Sequence, residues 1–283
     1  YTAVSPWSDK KRTVLDFSTL TAPGDYLLIT GADTMPVTIR HRALEPLTDA
    51  ALKSFYYQRT AMPIEAAYAG QWSRSAGHPD NHVLVHPNAV GPDRPAGTVI
   101  SSPKGWYDAG DYNKYIVNSA YSIGLMQAVY RLFPDYFAAQ SVNIPESFNH
   151  TPDFLDEMYY NLSWMLTMQD PADGGVYHKL TTPSFEGFIR PVECRQSRYV
   201  VRKSVTAALD FAASMAQASS LFAPYEQDYP GFSRRALAAA ERAYLWAEAH
   251  PEAFYNQEEL NKQYQPPVLT GCLLYTSDAA DDM

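Results

Sequence analysis

The sequence has 283 residues, of which 46% are hydrophobic and 19% are charged, a balance that excludes a disordered chain. The net charge is −9, from 31 acidic and 22 basic residues, and no basic stripe is present, so nucleic acid is excluded as the expected partner. No run reaches the roughly 18 apolar residues that a membrane helix requires, so no membrane span is predicted.

Residues 1–48 have the pattern of short β-strands. Arg12–Phe17 alternates in part, Tyr26–Thr30 is a short apolar run, and Pro36–Arg40 alternates cleanly. A turn signal at Ala22–Asp25 separates the first two. Because so few strands cannot close a sandwich, we predict that this segment is the C-terminal part of one.

Residues 49–113 show no clear periodicity and are predicted to be irregular. From there on the apolar spacing is helical, and in the second helix Thr151 is placed as the N-cap with Pro152 at the first position. Long helices joined by long loops predict a mainly α domain, either an α/α barrel or a solenoid. The predicted helices are Lys114–Phe133, Thr151–Gln169, Arg198–Leu221 and Ser233–Ala249.

The segment Cys272–Met283 differs from the rest of the chain and resembles the translation of a sequencing adapter. We interpret it as foreign to the protein, so the helical domain is expected to span residues 49–271. Cys194 is then the one remaining thiol, and no disulfide framework or cysteine-pair metal motif is predicted.

The stretch Lys104–Tyr115 carries the clearest chemistry. Asp108 and Asp111 are separated by Ala-Gly, small residues that let the backbone turn tightly and keep both carboxylates near one space. Aromatic side chains surround them. An inverting glycosidase needs a carboxylate that activates water, and two neighbouring carboxylates can share that task. Two simpler interpretations stay open: Asp111 caps the following helix, or the turn binds calcium.

This stretch, read on to Asn118, closely resembles the N-terminal signature of family-nine glycoside hydrolases. The resemblance extends over residues 12–271 and implies an immunoglobulin-like β-sandwich remnant followed by part of an (α/α)6 barrel. Further matching segments are Phe55–Arg59, Pro152–Glu157, Met168–Asp170 and Gly174–Lys179.

The resemblance implies inverting hydrolysis of β-1,4 bonds in cellulose or a related β-glucan, with Asp111 as the catalytic base and Asp108 as the acid that helps to hold the water. Sugar-contacting candidates are Trp106, Tyr107, Tyr112 and His178. A single histidine in a loop, as His178 is, is also often exposed without contacting a ligand. The family's general acid is a Glu near the C-terminal end of the barrel, and Glu157, Glu186 and Glu193 do not match its position, so the chain as given is expected to be inactive.

No cofactor is expected, although the sequence leaves calcium open. Some relatives carry a structural zinc on two Cys and two His, whose positions here are Thr60, Gly77, His78 and Tyr107. Because one His cannot hold a tetrahedral zinc, no zinc is predicted, and no metal-binding residues are assigned.

Two other functions stay open: an exo-acting glucosaminidase or oligosaccharide hydrolase of the same family, and a glycan-binding protein without catalysis. The resemblance implies a secreted, periplasmic or outer-surface location and a β-glucan partner.

Overall fold

The computed structural model describes residues 2–4, 7–8, 10–31 and 33–271, so the segment interpreted as adapter-derived lies outside the described residues. The chain divides into two units, Tyr1–Thr48 and Asp49–Met283. Among the described residues, no helix is long and apolar enough to cross a membrane.

The first unit contains two antiparallel strand pairs, one formed by β1 with β2 and the other by β3 with β4. Gly31 lies at the turn of the second pair with φ of 61°, a left-handed conformation that glycine adopts without steric cost. Both later predicted strands are present with shifted ends, whereas Arg12–Phe17 is a strand only at its start. The strands are β1 Thr2–Val4, β2 Lys11–Thr13, β3 Gly24–Thr30 and β4 Asp33–Ile39.

Helices dominate the second unit, as predicted. The predicted irregular segment is wrong at its start, because the first helix runs to Gln58. Leu52 and Tyr56, one helical turn apart, are buried there and give the helix a one-sided apolar face that its polar neighbours mask in sequence. The helices are α1 Glu45–Gln58, α2 Ala66–Ala69, α3 Ile116–Leu132, α4 Pro134–Ala138, α5 Asp153–Thr167, α6 Val205–Phe222, α7 Phe232–Ala249 and α8 Gln257–Gln263.

Helix α5 lies in the core with its predicted apolar positions buried. The predicted cap is one residue off: the helix begins at Asp153, and Pro152 is the N-cap residue. The Thr151 hydroxyl instead donates to Asp228 at 2.8 Å, which anchors the preceding loop. The buried apolar side chains of α5 include Phe154, Leu155, Met158, Leu162, Trp164 and Met165.

A five-stranded sheet in the order β6-β5-β9-β8-β7 positions the motif that carries the two carboxylates. The pair β5 and β9 is parallel, and the other neighbours are antiparallel. The predicted helix from Arg198 is wrong at its start: residues 198–200 form strand β9, and α6 begins only after its N-cap Ser204. The strands are β5 Val83–Val85, β6 Val99–Ile100, β7 Lys114–Tyr115, β8 Lys179–Thr181 and β9 Arg198–Val200.

The alanine-rich helices α6 and α7 pack closely against each other, and α6 also packs on α3. Ala208, Ala212, Ala236 and Ala240 are buried in this region, where small side chains let helix axes approach. Trp246 of α7 is 7% exposed and belongs to the same core.

Candidate active site

The loop between Trp106 and β7 folds back on itself and holds both carboxylates. The Asp108 N–H donates to the Asn113 carbonyl at 3.0 Å, which closes the loop, and the Tyr112 N–H donates to the Ala109 carbonyl at 3.1 Å. Tyr112 adopts a φ of 57°, an uncommon conformation for a bulky residue. The tight turn predicted from Ala109-Gly110 is therefore present.

Asp111 is held by neutral donors. The Tyr115 hydroxyl donates to its Oδ2 at 2.6 Å, and the Asn113 side chain and N–H reach its two oxygens at 3.3 and 3.2 Å. The interpretation of Asp111 as a helix cap is wrong, because the N-cap residue of α3 is Tyr115. Hydrogen bonds from neutral groups orient the carboxylate while leaving its charge available to a reacting water.

Asp108 sits in a different environment on the same loop. Asn118 of α3 donates to its Oδ1 at 2.8 Å. Burial raises the pKa of Asp108 above its usual range, the negative charge of Asp111 raises it further, and the Asn118 hydrogen bond opposes both. The two carboxylates are thus close enough to interact electrostatically.

A buried cluster of three charged side chains contacts this loop, and it was not predicted from the sequence. Asp80 accepts from Lys114 at 2.8 Å and from Arg198 at 2.9 and 3.2 Å, and its carboxyl pKa is lowered by both cations against the effect of burial. Arg198 also donates to the Tyr112 carbonyl at 2.9 Å and to the Asn113 side chain at 3.3 Å. The cluster therefore holds the backbone next to Asp111 in place through Arg198.

Two of the predicted sugar-contacting aromatics are largely buried. Trp106 and Tyr107 are each 5% exposed and line a small depression beside Asp108. The Trp106 Nε1 donates to Glu157 at 2.8 Å, so the indole anchors the start of the loop to α5. Because so little of either ring is exposed, the structure favours a role for both residues in positioning the loop. Stacking of these rings on sugar stays a prediction.

Tyr112 is the more accessible of the aromatic candidates. Its hydroxyl donates to the Ile189 carbonyl at 2.7 Å, which joins the loop to the segment between β8 and β9. Burial raises the pKa of Tyr112 above its usual range, so it is a neutral hydrogen-bonding group at pH 7. Its contact with sugar also stays a prediction.

His178 is partly buried rather than merely exposed. Its ring stacks on Tyr255 with centroids 3.7 Å apart, and its Nδ1 lies 2.8 Å from the Ser204 hydroxyl. Burial and the neighbouring Lys179 lower the pKa of His178 to about 3, so the ring is neutral and can exchange hydrogen bonds with hydroxyl groups.

A cavity of about 550 Å³ is lined by His178 and by residues that hold the two carboxylates in place. Its walls include Tyr115, the donor to Asp111, and Asn118, the donor to Asp108. Tyr255 also lines it and had no sequence signal of its own, because it comes close only through the fold. Lys179 completes the wall; burial lowers its pKa to about 7, and Asp111 opposes that shift.

Three of the four positions at which some relatives bind zinc are occupied by residues that cannot serve as ligands there. The Thr60 hydroxyl donates to the Lys104 carbonyl at 2.8 Å, and Tyr107 is hydrogen-bonded to His78 at 2.9 Å. A Cβ on Gly77 would lie 2.4 Å from the Pro191 Cβ, so no side chain fits there. Among the described residues, one group of side chains could hold a metal ion, and that group contains neither Asp108 nor Asp111.

Comparison with known proteins agrees with this fold. The sequence model described as Glycosyl hydrolase family 9 matches residues 45–282. The chain is 71% identical over 282 residues to the xyloglucan-specific endo-beta-1,4-glucanase BoGH9A of Bacteroides ovatus, covering 100% of this chain and 48% of that protein. It is 34% identical over 281 residues to endoglucanase D of Acetivibrio thermocellus, covering 97% and 42%.

Solved structures show the same relationship. A structure titled Bacteroides ovatus GH9 superposes with a TM-score of 0.92 at 72% identity, over 96% of this chain and 50% of that one. A thermostable endoglucanase of Alicyclobacillus acidocaldarius, solved as a single mutant, gives a TM-score of 0.77 at 33% identity, over 90% and 45%. The described helical unit thus has the fold of this class of glycoside hydrolases.

The chain belongs to glycosyl hydrolase family 9. It spans about half the length of the curated relatives it matches.

Proposed function

We propose that the complete protein is an inverting glycoside hydrolase that cleaves β-1,4 bonds in a β-glucan backbone. The observation that carries the proposal is the carboxylate loop: Asp108 and Asp111 share one turn and are oriented by neutral donors beside a cavity. Because the 71% identical relative is named as xyloglucan-specific, xyloglucan is the first substrate to test, ahead of cellulose.

In the proposed reaction Asp111 acts as the base. It accepts a proton from a water that attacks the anomeric carbon on the face opposite the leaving group, and Asp108 holds the second hydrogen of that water. Tyr115 holds the Asp111 carboxylate through the 2.6 Å hydrogen bond to its Oδ2. This chemistry uses water and carboxyl groups alone, so no cofactor takes part in the proposed reaction.

The proposal assigns protonation of the leaving oxygen to a Glu near the C-terminal end of the family's barrel. An inverting pair is separated by roughly 6.5–9.5 Å, which leaves room for the water. We therefore also propose that residues 1–271 on their own do not hydrolyse glucan.

The first unit is proposed to be the C-terminal part of an immunoglobulin-like sandwich. Its β3–β4 pair exposes apolar side chains at Leu27, Ile29 and Met35, which are 66%, 69% and 54% exposed. An isolated two-stranded hairpin is at best marginally stable, and a sandwich would cover such a surface. The family relationship also supports action on polysaccharide at a secreted, periplasmic or outer-surface location.

The test uses the full-length protein and its Asp111→Asn variant on xyloglucan and on carboxymethyl cellulose. Removing the base should lower kcat by at least about 10²–10⁴ without changing the fold. Proton NMR of the first product should show the α anomer at the new reducing end. Exposed Asp93 supplies the matched control, and Asp93→Asn should keep the full rate.

A near-normal rate for Asp111→Asn would contradict the base assignment, and a first product with the β configuration would contradict inversion. Glucan binding by the wild type without any release of reducing ends would instead support the glycan-binding alternative. Release of single terminal units alone would support the exo-acting alternative.

A further inference from the structure

Three side chains outside the carboxylate loop form a cluster with nitrogen, oxygen and sulfur donors. His78 comes from the loop before β5, whereas Glu186 and Cys194 come from the segment between β8 and β9. One potential ligand atom from each lies within 4.8 Å of the other two. In a tetrahedral zinc site, bonds of about 2.0–2.3 Å place ligand atoms about 3.5 Å apart, so a closure of about 1 Å would complete the geometry.

Of the three side chains, His78 has the geometry closest to that of a metal ligand. It is 9% exposed and adopts a φ of 47°. Its Nδ1 lies 2.9 Å from the Tyr107 hydroxyl, but its Nε2 is buried without a hydrogen-bond partner. Buried polar atoms are normally satisfied, and a histidine that binds metal through one nitrogen usually has its other nitrogen fixed by an outer partner. Tyr107 supplies that outer partner here.

The Glu186 carboxylate is also held in place from one side. Its Oε1 accepts the N–H groups of Arg195 and Gln196 at 2.7 and 2.8 Å, which orients the group toward Cys194. Zinc binds cysteine as the thiolate, so binding at Cys194 would release the proton of the thiol.

The same segment explains why the usual zinc positions of the family are not used. Pro191 occupies the space that a side chain at position 77 would need, since the Cβ atoms would be 2.4 Å apart. Pro191 lies three residues before Cys194. The segment that leaves no room for a side chain at position 77 therefore also brings the Cys194 thiol close to His78. A zinc site here would depart from the prediction of no zinc made from the sequence, because Glu186 and Cys194 come close to His78 only through the fold.

We propose that His78, Glu186 and Cys194 together bind one Zn²⁺ ion, a site that shares only His78 with the zinc positions of the relatives. A mixed nitrogen, sulfur and carboxylate donor set suits zinc rather than calcium or magnesium, which prefer oxygen alone. A thiolate and a carboxylate would balance the charge of the ion. A fourth position would face the adjoining cavity of about 310 Å³ and would take a water molecule.

The zinc would have a structural role at the carboxylate loop. The His78 ring packs on Tyr107 and Tyr112, with centroids 5.4 and 5.7 Å apart, and Tyr112 is hydrogen-bonded to Ile189 of the segment that carries the other two ligands. Tying the segment to His78 would therefore restrain the residue next to Asp111.

The test measures zinc in the full-length protein after dialysis against metal-free buffer and re-addition of ZnCl₂, by plasma mass spectrometry and calorimetric titration. We expect about one zinc per chain, bound with release of protons. Cys194→Ser and Glu186→Gln should weaken binding by more than the roughly 10–100-fold that loss of an outer partner costs. His82 is exposed and lines the same cavity, so His82→Gln is the matched control and should bind as the wild type does.

Cobalt gives a readout that needs no variant. Co²⁺ added to the metal-free wild-type protein should produce the near-ultraviolet charge-transfer absorption of a thiolate-bound ion. Absence of stoichiometric zinc, absence of that absorption, or equal binding by Cys194→Ser and the wild type would each overturn the proposal. Thermal melts of the variants establish that any loss of binding is not a loss of folding.

Discussion

Replacing Asp80 with Asn should expose the energetic role of the ion cluster beneath the carboxylate loop. The Asp80 and Lys114 side chains are 1% and 0% exposed, and their charged atoms are 2.8 Å apart. At an effective dielectric constant of about 20, a pair at that distance is worth roughly 6 kcal/mol of Coulomb attraction. Arg198 adds a second contact at 2.9 Å. Breaking a buried pair by removing one partner costs about 3–5 kcal/mol.

We expect Asp80→Asn to lower the free energy of unfolding by about 3–5 kcal/mol at pH 7, because both cations keep only neutral acceptors. The pH dependence has a defined sign. Burial lowers the pKa of Lys114 to about 8 in the wild type, and Asp80 opposes that shift. In the variant the Lys114 pKa falls further, so the folded state must deprotonate it at pH 7. At pH 9 Lys114 is neutral in both proteins, so its contribution to the difference in unfolding free energy should vanish.

The assay is urea unfolding of the full-length protein, followed by tryptophan fluorescence at pH 7 and pH 9. Asp93→Asn removes an exposed carboxylate instead and should stay within about 0.5 kcal/mol of the wild type. A loss below about 1 kcal/mol for Asp80→Asn at pH 7 would refute the reasoning. So would a loss that does not shrink between pH 7 and pH 9.

Three further substitutions test neighbouring parts of the site. Glu157→Gln should cost about 3 kcal/mol in urea unfolding, the lower end for a broken buried pair, because Arg59 keeps a second carboxylate partner. Tyr115→Phe removes the 2.6 Å bond to Asp111 and should lower kcat roughly tenfold to hundredfold, the equivalent of about 1.5–3 kcal/mol; an unchanged kcat would contradict it. Asp108→Asn should stabilise the fold by about 0.5–2 kcal/mol at pH 7, since the raised pKa marks an ionised form that folding disfavours. Unfolding at several pH values should show that gain disappearing below about pH 4, where the wild-type carboxyl is protonated in both states.

Local pattern was enough to predict much of the helical unit and the loop with its two carboxylates. Helix α5 follows directly from the spacing of Phe154, Met158, Leu162 and Met165, and the turn at Ala109-Gly110 follows from small residues between acids. These features depend on neighbours in sequence. The same is true of the β3–β4 pair, where alternation and a turn glycine act together.

The errors arose where distant contacts override local preference. Arg198–Val200 continues into an alanine-rich helical pattern, but it pairs with Val83–Val85 and becomes a strand. Ser204 marks the true helix start by accepting the Ala207 N–H at 3.1 Å, and a serine before a periodic run is a signal that sequence can supply. The partners Lys179 and Tyr255 carry no such signal, because only the tertiary fold brings them to the cavity.

The position of the proposed base depends on several segments remote from the motif. Arg198 holds the Tyr112 carbonyl, one residue from Asp111, and is itself held by Asp80. Strand β8 pairs with β7, which places Lys179 opposite Tyr115, the residue that orients Asp111. Hydrogen bonds therefore fix both the backbone next to Asp111 and the oxygens of its carboxylate, which pre-organises the group for one water geometry. Activity should therefore fall on substitution of Asp80 or Tyr115 even when both carboxylates of the loop remain.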